Sequence, residues 1–185
     1  MVNGVRAVAL LRGINVGTGT RVPMAELREL AEGIGLTDVA TYVQSGNLVF
    51  TTAPLDEARL ASSLEAAILT AFGVTSPVIL RTQAELAAIG SAHPLAAGVE
   101  RAALLHVVFL RDAPSKEDLA RLDPARSPAE RFMLDGRELY VHYPDGSGRS
   151  KLTLDYIERR LGTVATARNW NTVQKLVAMT ASPDR

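Results

Sequence analysis

The residues of this chain best suited to chemistry fall in two glycine-rich stretches. The first is Arg12 to Val22, RGINVGTGTRV, which follows an apolar run and precedes a helical pattern opening at Pro23. Backbone N–H groups in such a strand–loop–helix turn can hold an anion. Its candidate contacts are Arg12, Gly13, Asn15, Gly17 and Arg21. The second stretch is Pro144 to Lys151, PDGSGRSK, again after a strand-like run and before a helix-like one. Here Arg149, Ser150 and Lys151 point to phosphate or carboxylate binding. Gly13, Gly17 and Gly19 do not give GxGxxG spacing, and no GK[ST] follows, so neither famous phosphate motif is present. The glycines also have a purely steric reading, as turn positions that need positive φ.

Each stretch has a companion. Gln44, Ser45 and Asn47 surround a turn-like Ser45-Gly46, and the two amides can both donate and accept toward a ligand. Arg168, Asn169, Trp170 and Asn171 sit between a strand-like run and the last helix. Trp170, the single tryptophan, either stacks on a base or sugar or anchors a core.

Charge is placed rather than spread. The chain has 20 basic and 20 acidic residues in 185, so no global field draws it to nucleic acid or anionic lipid. From Gly146 to Lys175 there are six basic and two acidic residues, a local +4. From Glu100 to Asp145 there are seven basic and nine acidic, a local −2. Arginines outnumber lysines 17 to 3, yet two of the lysines lie in the basic stretch. The absence of cysteine removes disulfides, thiol catalysis and thiolate metal sites together. His93, His106 and His142 lack metal-ligand spacing, no GxSxG is present, and no carboxylate pair stands by the glycine loops. Tyr42, Tyr156 and Lys151 could move protons, but the sequence shows no partner for them. No metal is expected and no cofactor is indicated. The N-terminal apolar run is too short for a signal or a membrane span, so the expected location is cytoplasmic.

The elements that must position these residues can be read from periodicity. Val5 to Leu11 is a buried strand. Met24, Leu27, Ala31 and Ile34 form a helix stripe that Gly33 and Gly35 end. Strands at Val39–Gln44 and Leu48–Thr52 flank a tight hairpin. Asp56 opens a helix with Leu60, Leu64, Ile68 and Phe72 on one stripe, and Val78–Leu80 closes the unit. Thr82 and Glu85 form a capping box for a short connector helix. The order then repeats: a strand at Leu104–Leu110, a helix capped by Ser115 and Asp118, strands around Asp135-Gly136, a helix through Leu154, Ile157 and Leu161, a strand at Val164–Ala167, and a last helix from about Trp170. This predicts an α+β fold of two ferredoxin-like βαββαβ units in tandem, each an antiparallel sheet with helices on one face. The first lobe spans 1–82, a connector 83–102, and the second lobe with the C-terminal helix 103–185. In this topology the first loop and the first hairpin leave one end of their sheet together. In the second lobe, Pro144–Lys151 and Arg168–Thr172 share the opposite end. Whether the two clusters meet is left open by sequence.

ALLRGINVG at Ala9–Gly17, VPMAELREL at Val22–Leu30, TYVQSGNLVF at Thr41–Phe50, GRSKLT at Gly148–Thr153 and TARNWNTVQKL at Thr166–Leu176 resemble the bacterial family catalogued as domain of unknown function 1697. The resemblance runs nearly end to end. It implies a duplicated ferredoxin-like fold and brings no established activity. The functional expectation is a binder of a small anionic ligand, a nucleotide or phosphorylated metabolite. A nucleic-acid module using the basic second lobe is the alternative, and a protein-interaction module the third. RNA binding on an open sheet is disfavoured, because Gly46–Phe50 offers one aromatic where that mode uses several.

Overall fold

In a computed structural model, residues 4–53 and 56–181 are described. The termini of the two expected lobes, 1–3 and 182–185, and residues 54–55 lie outside them. The first repeat is β1 (Val5–Leu11), α1 (Met24–Gly33), β2 (Thr37–Tyr42), β3 (Asn47–Thr52), α2 (Glu57–Phe72) and β4 (Val78–Thr82), followed by α3 (Gln83–Ser91). The second is β5 (Leu105–Leu110), α4 (Lys116–Leu119), β6 (Arg131–Asp135), β7 (Glu138–His142), α5 (Leu154–Leu161) and β8 (Ala165–Asn169), followed by α6 (Trp170–Thr180). The sheets have the orders β2-β3-β1-β4 and β6-β7-β5-β8, antiparallel at every step. The predicted α+β duplication is therefore observed. The chain divides into two compact units. One runs to Ala87 and resumes at Leu176, and the other spans Ala88–Lys175.

Local chemistry sets the helix ends. The Asp56 carboxylate accepts the Arg59 N–H at 3.0 Å. Thr82 and Glu85 exchange bonds as a capping box ahead of α3, and Ser115 and Asp118 do so ahead of α4. In the first unit, Leu27, Ala31, Leu64 and Ile68 pack on Ala7, Ala9, Leu48, Phe50 and Leu80. In the second, Tyr156, Ile157 and Leu161 pack on Val108, Leu110, Leu139 and Val141. The opposite sheet faces are buried as well, through Val8, Leu10, Val49 and Ile79 in one unit and Val107 and Phe109 in the other.

Two elements differ from expectation. The first hairpin is a four-residue turn, Val43 to Gly46, because Asn47 pairs with Tyr42 and its Nδ2 donates to the Tyr42 carbonyl at 2.9 Å. Val43 takes φ 51, a costly conformation for a β-branched residue. The last strand runs on to Asn169 and straight into α6, since β5 offers partners as far as His106. Arg168 and Asn169 are thus ladder residues, not loop residues.

The two repeats place an arginine at the same position of their last strand. Arg81 and Arg168 each occupy the fourth position of the last strand, opposite Val8 and Val107. Both are buried, and each Nη1 donates to the preceding carbonyl, at 2.7 Å to Leu80 and 2.8 Å to Ala167.

The three histidines make stability pH-dependent. His93 accepts the Leu95 N–H at Nδ1, which leaves Nε2 to donate to the His106 carbonyl at 3.1 Å. Its ring meets Tyr140 and Trp170 edge-on, both at 5.1 Å between centroids. Burial is the leading cause that holds His93, His106 and His142 below the ordinary imidazole value of 6.5. Below 6.5 the folded chain then binds fewer protons than the unfolded one, so stability falls as pH drops through that region. Urea midpoints should be lower at pH 5 than at pH 7.5, and His93→Gln should shrink the difference; a midpoint that rises on acidification contradicts this.

Candidate functional site

The first glycine loop closes on itself. Asn15 N donates to the Thr20 carbonyl at 2.7 Å, and Val16 N to Thr20 Oγ1 at 3.1 Å. The Asn15 side chain accepts from Val22 N at 2.9 Å and donates to the Val22 and Gln44 carbonyls at 3.0 and 2.8 Å. Leu11 N donates to the Gly46 carbonyl at 2.8 Å. The loop and the hairpin thus meet at one end of the first sheet, as topology requires, and Asn15 is the joint. Gly13, Gly17 and Gly19 all take positive φ, which meets the steric reading of this loop. Asn47 is buried, Arg12 is half-buried, and Ser76 Oγ donates to the Arg12 carbonyl. Arg21, Gln44 and Ser45 are exposed. The amides of Asn15, Val16 and Val22 serve the loop itself.

The second stretch borders an open cleft of about 470 Å³, lined among others by Arg126, Ser127, Glu130, Asp145, Arg149 and Lys151. Its shape comes from a sparse set of bonds. Gly146, at φ 83, turns the chain out of β7 into a 3₁₀ turn at Ser147–Arg149. Ser150 Oγ donates to Glu130 Oε2 at 2.7 Å and accepts from Leu152 N at 2.8 Å. Lys151 N donates to Ser127 Oγ at 3.3 Å, and Arg126 Nε donates to the Lys151 carbonyl at 2.8 Å. The guanidinium of Arg126 lies over the ring of buried Tyr156, 4.2 Å from its centroid, while the Tyr156 hydroxyl accepts from Asp123 N. Two sides of Arg126 are therefore fixed by ring and carbonyl. Three cations (Arg126, Arg149, Lys151) face two carboxylates (Glu130, Asp145), a surplus of one, and Glu130 is already engaged by Ser150.

This geometry rearranges the expected contacts. Arg149, Ser150 and Lys151 line the cleft. Arg168 lies on the sheet face away from α5, bonded to Thr166 Oγ1 at 2.8 Å. Burial pulls its guanidinium down to about 10, still charged at neutral pH. Asn169 caps α6 by accepting from Thr172 N at 2.9 Å, half-buried Trp170 packs against His93, and Asn171 is exposed. None of these four lines the cleft. The opposite wall is Arg126 to Glu130, which the sequence reading did not single out. The backbone amides of Gly146, Ser150, Lys151 and Leu152 all donate within the protein, and α5 is capped by Thr153. An anion here would be met by side chains rather than by a helix N-terminus. Among the described residues no group of three or more His, Asp or Glu could hold a metal ion, and no helix is long and apolar enough to cross a membrane.

The chain is thus built of two tandem ferredoxin-like units, and the cationic cleft lies in the second. The chain belongs to the family described as "Protein of unknown function (DUF1697)", whose model matches residues 5–140. It is similar in fold to the conserved bacterial protein SP0830 from Streptococcus pneumoniae, at 24% identity and a TM-score of 0.71 over 96% of this chain and 99% of that one. A comparison with the curated proteins found no match.

Proposed function

We propose that the second unit binds a small phosphorylated ligand, such as a nucleotide or sugar phosphate, with its anionic group between Arg126, Arg149 and Lys151. The observation that carries this reading is the fixed Arg126. A guanidinium stacked on a ring and tethered through Nε keeps its remaining N–H fork in one orientation, which suits bidentate recognition of phosphate. The cleft volume of about 470 Å³ is that of a metabolite site. Among the described residues no acidic side chain pairs with Arg149 or Lys151, so their charge is available to a ligand.

Thermal shift against inorganic phosphate, nucleotides and sugar phosphates tests the reading. At least one should raise the melting temperature. Arg149→Ala and Lys151→Ala, both at exposed positions, should each weaken the response about tenfold, as expected for loss of one charge-assisted contact. The log–log salt slope should be shallow; a steep slope with oligonucleotides and none with small phosphates would favour nucleic acid instead. If no anion stabilises the fold and both variants behave as the parent, the reading fails.

A further inference from the structure

The two sheets place an edge strand in equivalent positions, β2 in one and β6 in the other. The β2 edge is blunted. Its register breaks between Thr37 and Ala40, Asp38 sits at φ 49, and Arg6 Nη1 takes the Asp38 carbonyl at 2.8 Å. Bulges and covered carbonyls of this kind prevent edge-to-edge pairing. Among the described residues the β6 edge has no such device. Its pairing with β7 is regular through all five residues. Leu110 N donates to the Arg137 carbonyl and Tyr143 N to the Leu104 carbonyl, so the odd-numbered residues of β7 serve β5 and the even-numbered ones serve β6. Within β6, Arg131, Met133 and Asp135 therefore turn their backbone groups to β7, and Phe132 and Leu134 turn theirs to the open edge.

We propose that β6 pairs with β6 of a second copy of this chain, antiparallel about a two-fold axis through Met133. In that register Phe132 and Leu134 exchange backbone hydrogen bonds with Leu134 and Phe132 of the second copy. Their outward groups have the required parity. Met133, 43% exposed, meets its own counterpart in a non-hydrogen-bonded pair, where side chains approach most closely. Arg131 falls opposite Asp135, and Asp135 opposite Arg131. All three side chains are exposed and share the sheet face away from α5. Parallel pairing in the same register would set arginine on arginine and aspartate on aspartate, so the charges select the antiparallel arrangement. A five-residue ladder buries less than the roughly 1,200 Å² of a stable interface. The association is accordingly weak and concentration-dependent.

Sedimentation velocity on the full chain, from low micromolar to the limit of solubility, tests this. The average mass should rise toward twice that of the monomer. Met133→Lys and Arg131→Asp should each weaken the dimer by about tenfold, since the first sets two lysines face to face on the axis and the second sets aspartate against aspartate twice across it. Arg131→Asp combined with Asp135→Arg should restore it. Circular dichroism checks that each variant is folded. A monomer at every concentration, or a dimer indifferent to both single variants, overturns the proposal.

Discussion

Replacing Gly46 with alanine is expected to destabilise the chain by about 3 kcal/mol, combining a left-handed backbone with overpacking. Gly46 sits at φ 75, and an added Cβ would lie 2.6 Å from Leu11 Cβ and 2.9 Å from Ile14 Cδ1. Neither neighbour can retreat easily, because Leu11 and Ile14 are buried in the first core. The hairpin cannot retreat either without breaking the bond from Leu11 N to the Gly46 carbonyl. Gly136 supplies the control. It has φ 57, but its nearest new contact would be Glu138 Oε2 at 3.9 Å. Gly136→Ala should cost only about 1 kcal/mol, the conformational part alone. Urea denaturation of the two variants reads the difference. Equal losses would mean that the turn shifts off β1 freely.

The second large effect is on ligand binding. Arg126→Ala should weaken phosphate binding about 100-fold, more than either Arg149→Ala or Lys151→Ala, because it removes the guanidinium fork that the Tyr156 ring and the Lys151 carbonyl orient. Arg126→Lys keeps the charge but loses the bond from Nε to the Lys151 carbonyl and the planar face over Tyr156. It should recover only a small part of the affinity. Both variants should fold, since Arg126 is exposed. Full rescue by lysine would reduce the site to a diffuse charge effect.

The parts of the fold legible in the sequence were those set by local chemistry. Asp56, Thr82 with Glu85, and Ser115 with Asp118 announce their helices because a cap and its target lie within three residues. The glycines of the first loop announce positive φ for the same reason. The repeat of strand and helix periods then fixes the order of the sheets. What sequence hid depends on distant partners. Arg126 joins the cleft through a carbonyl 25 residues away, and its linear neighbourhood is acidic, so a charge window centred on the basic stretch passes over it. The same window counts Arg168, whose strand position buries it away from the cleft. Val43 at positive φ was equally unreadable, since nothing local asks a β-branched residue to adopt it.

Asn15 shows how a candidate contact can become a structural joint. Its amide was expected to face a ligand, and in the structure both ends of it hold the loop to Val22 and the hairpin to Gln44. The first unit thus spends its most adaptable polar side chain on shape. In the second unit the corresponding polar and cationic side chains of Arg149 and Lys151 stay at the surface.

Residue-resolved titration decides whether the cationic cleft of the second unit is an anion site. Inorganic phosphate is added to isotope-labelled protein and each backbone amide followed by NMR. Concerted, saturable shifts are expected at Arg126, Ser127 and Ser147–Lys151, abolished in Arg126→Ala, with the amides of Asn15, Val16 and Val22 unmoved. Saturable shifts confined to the first glycine loop, or none at any phosphate concentration, would contradict an anion site in the cleft.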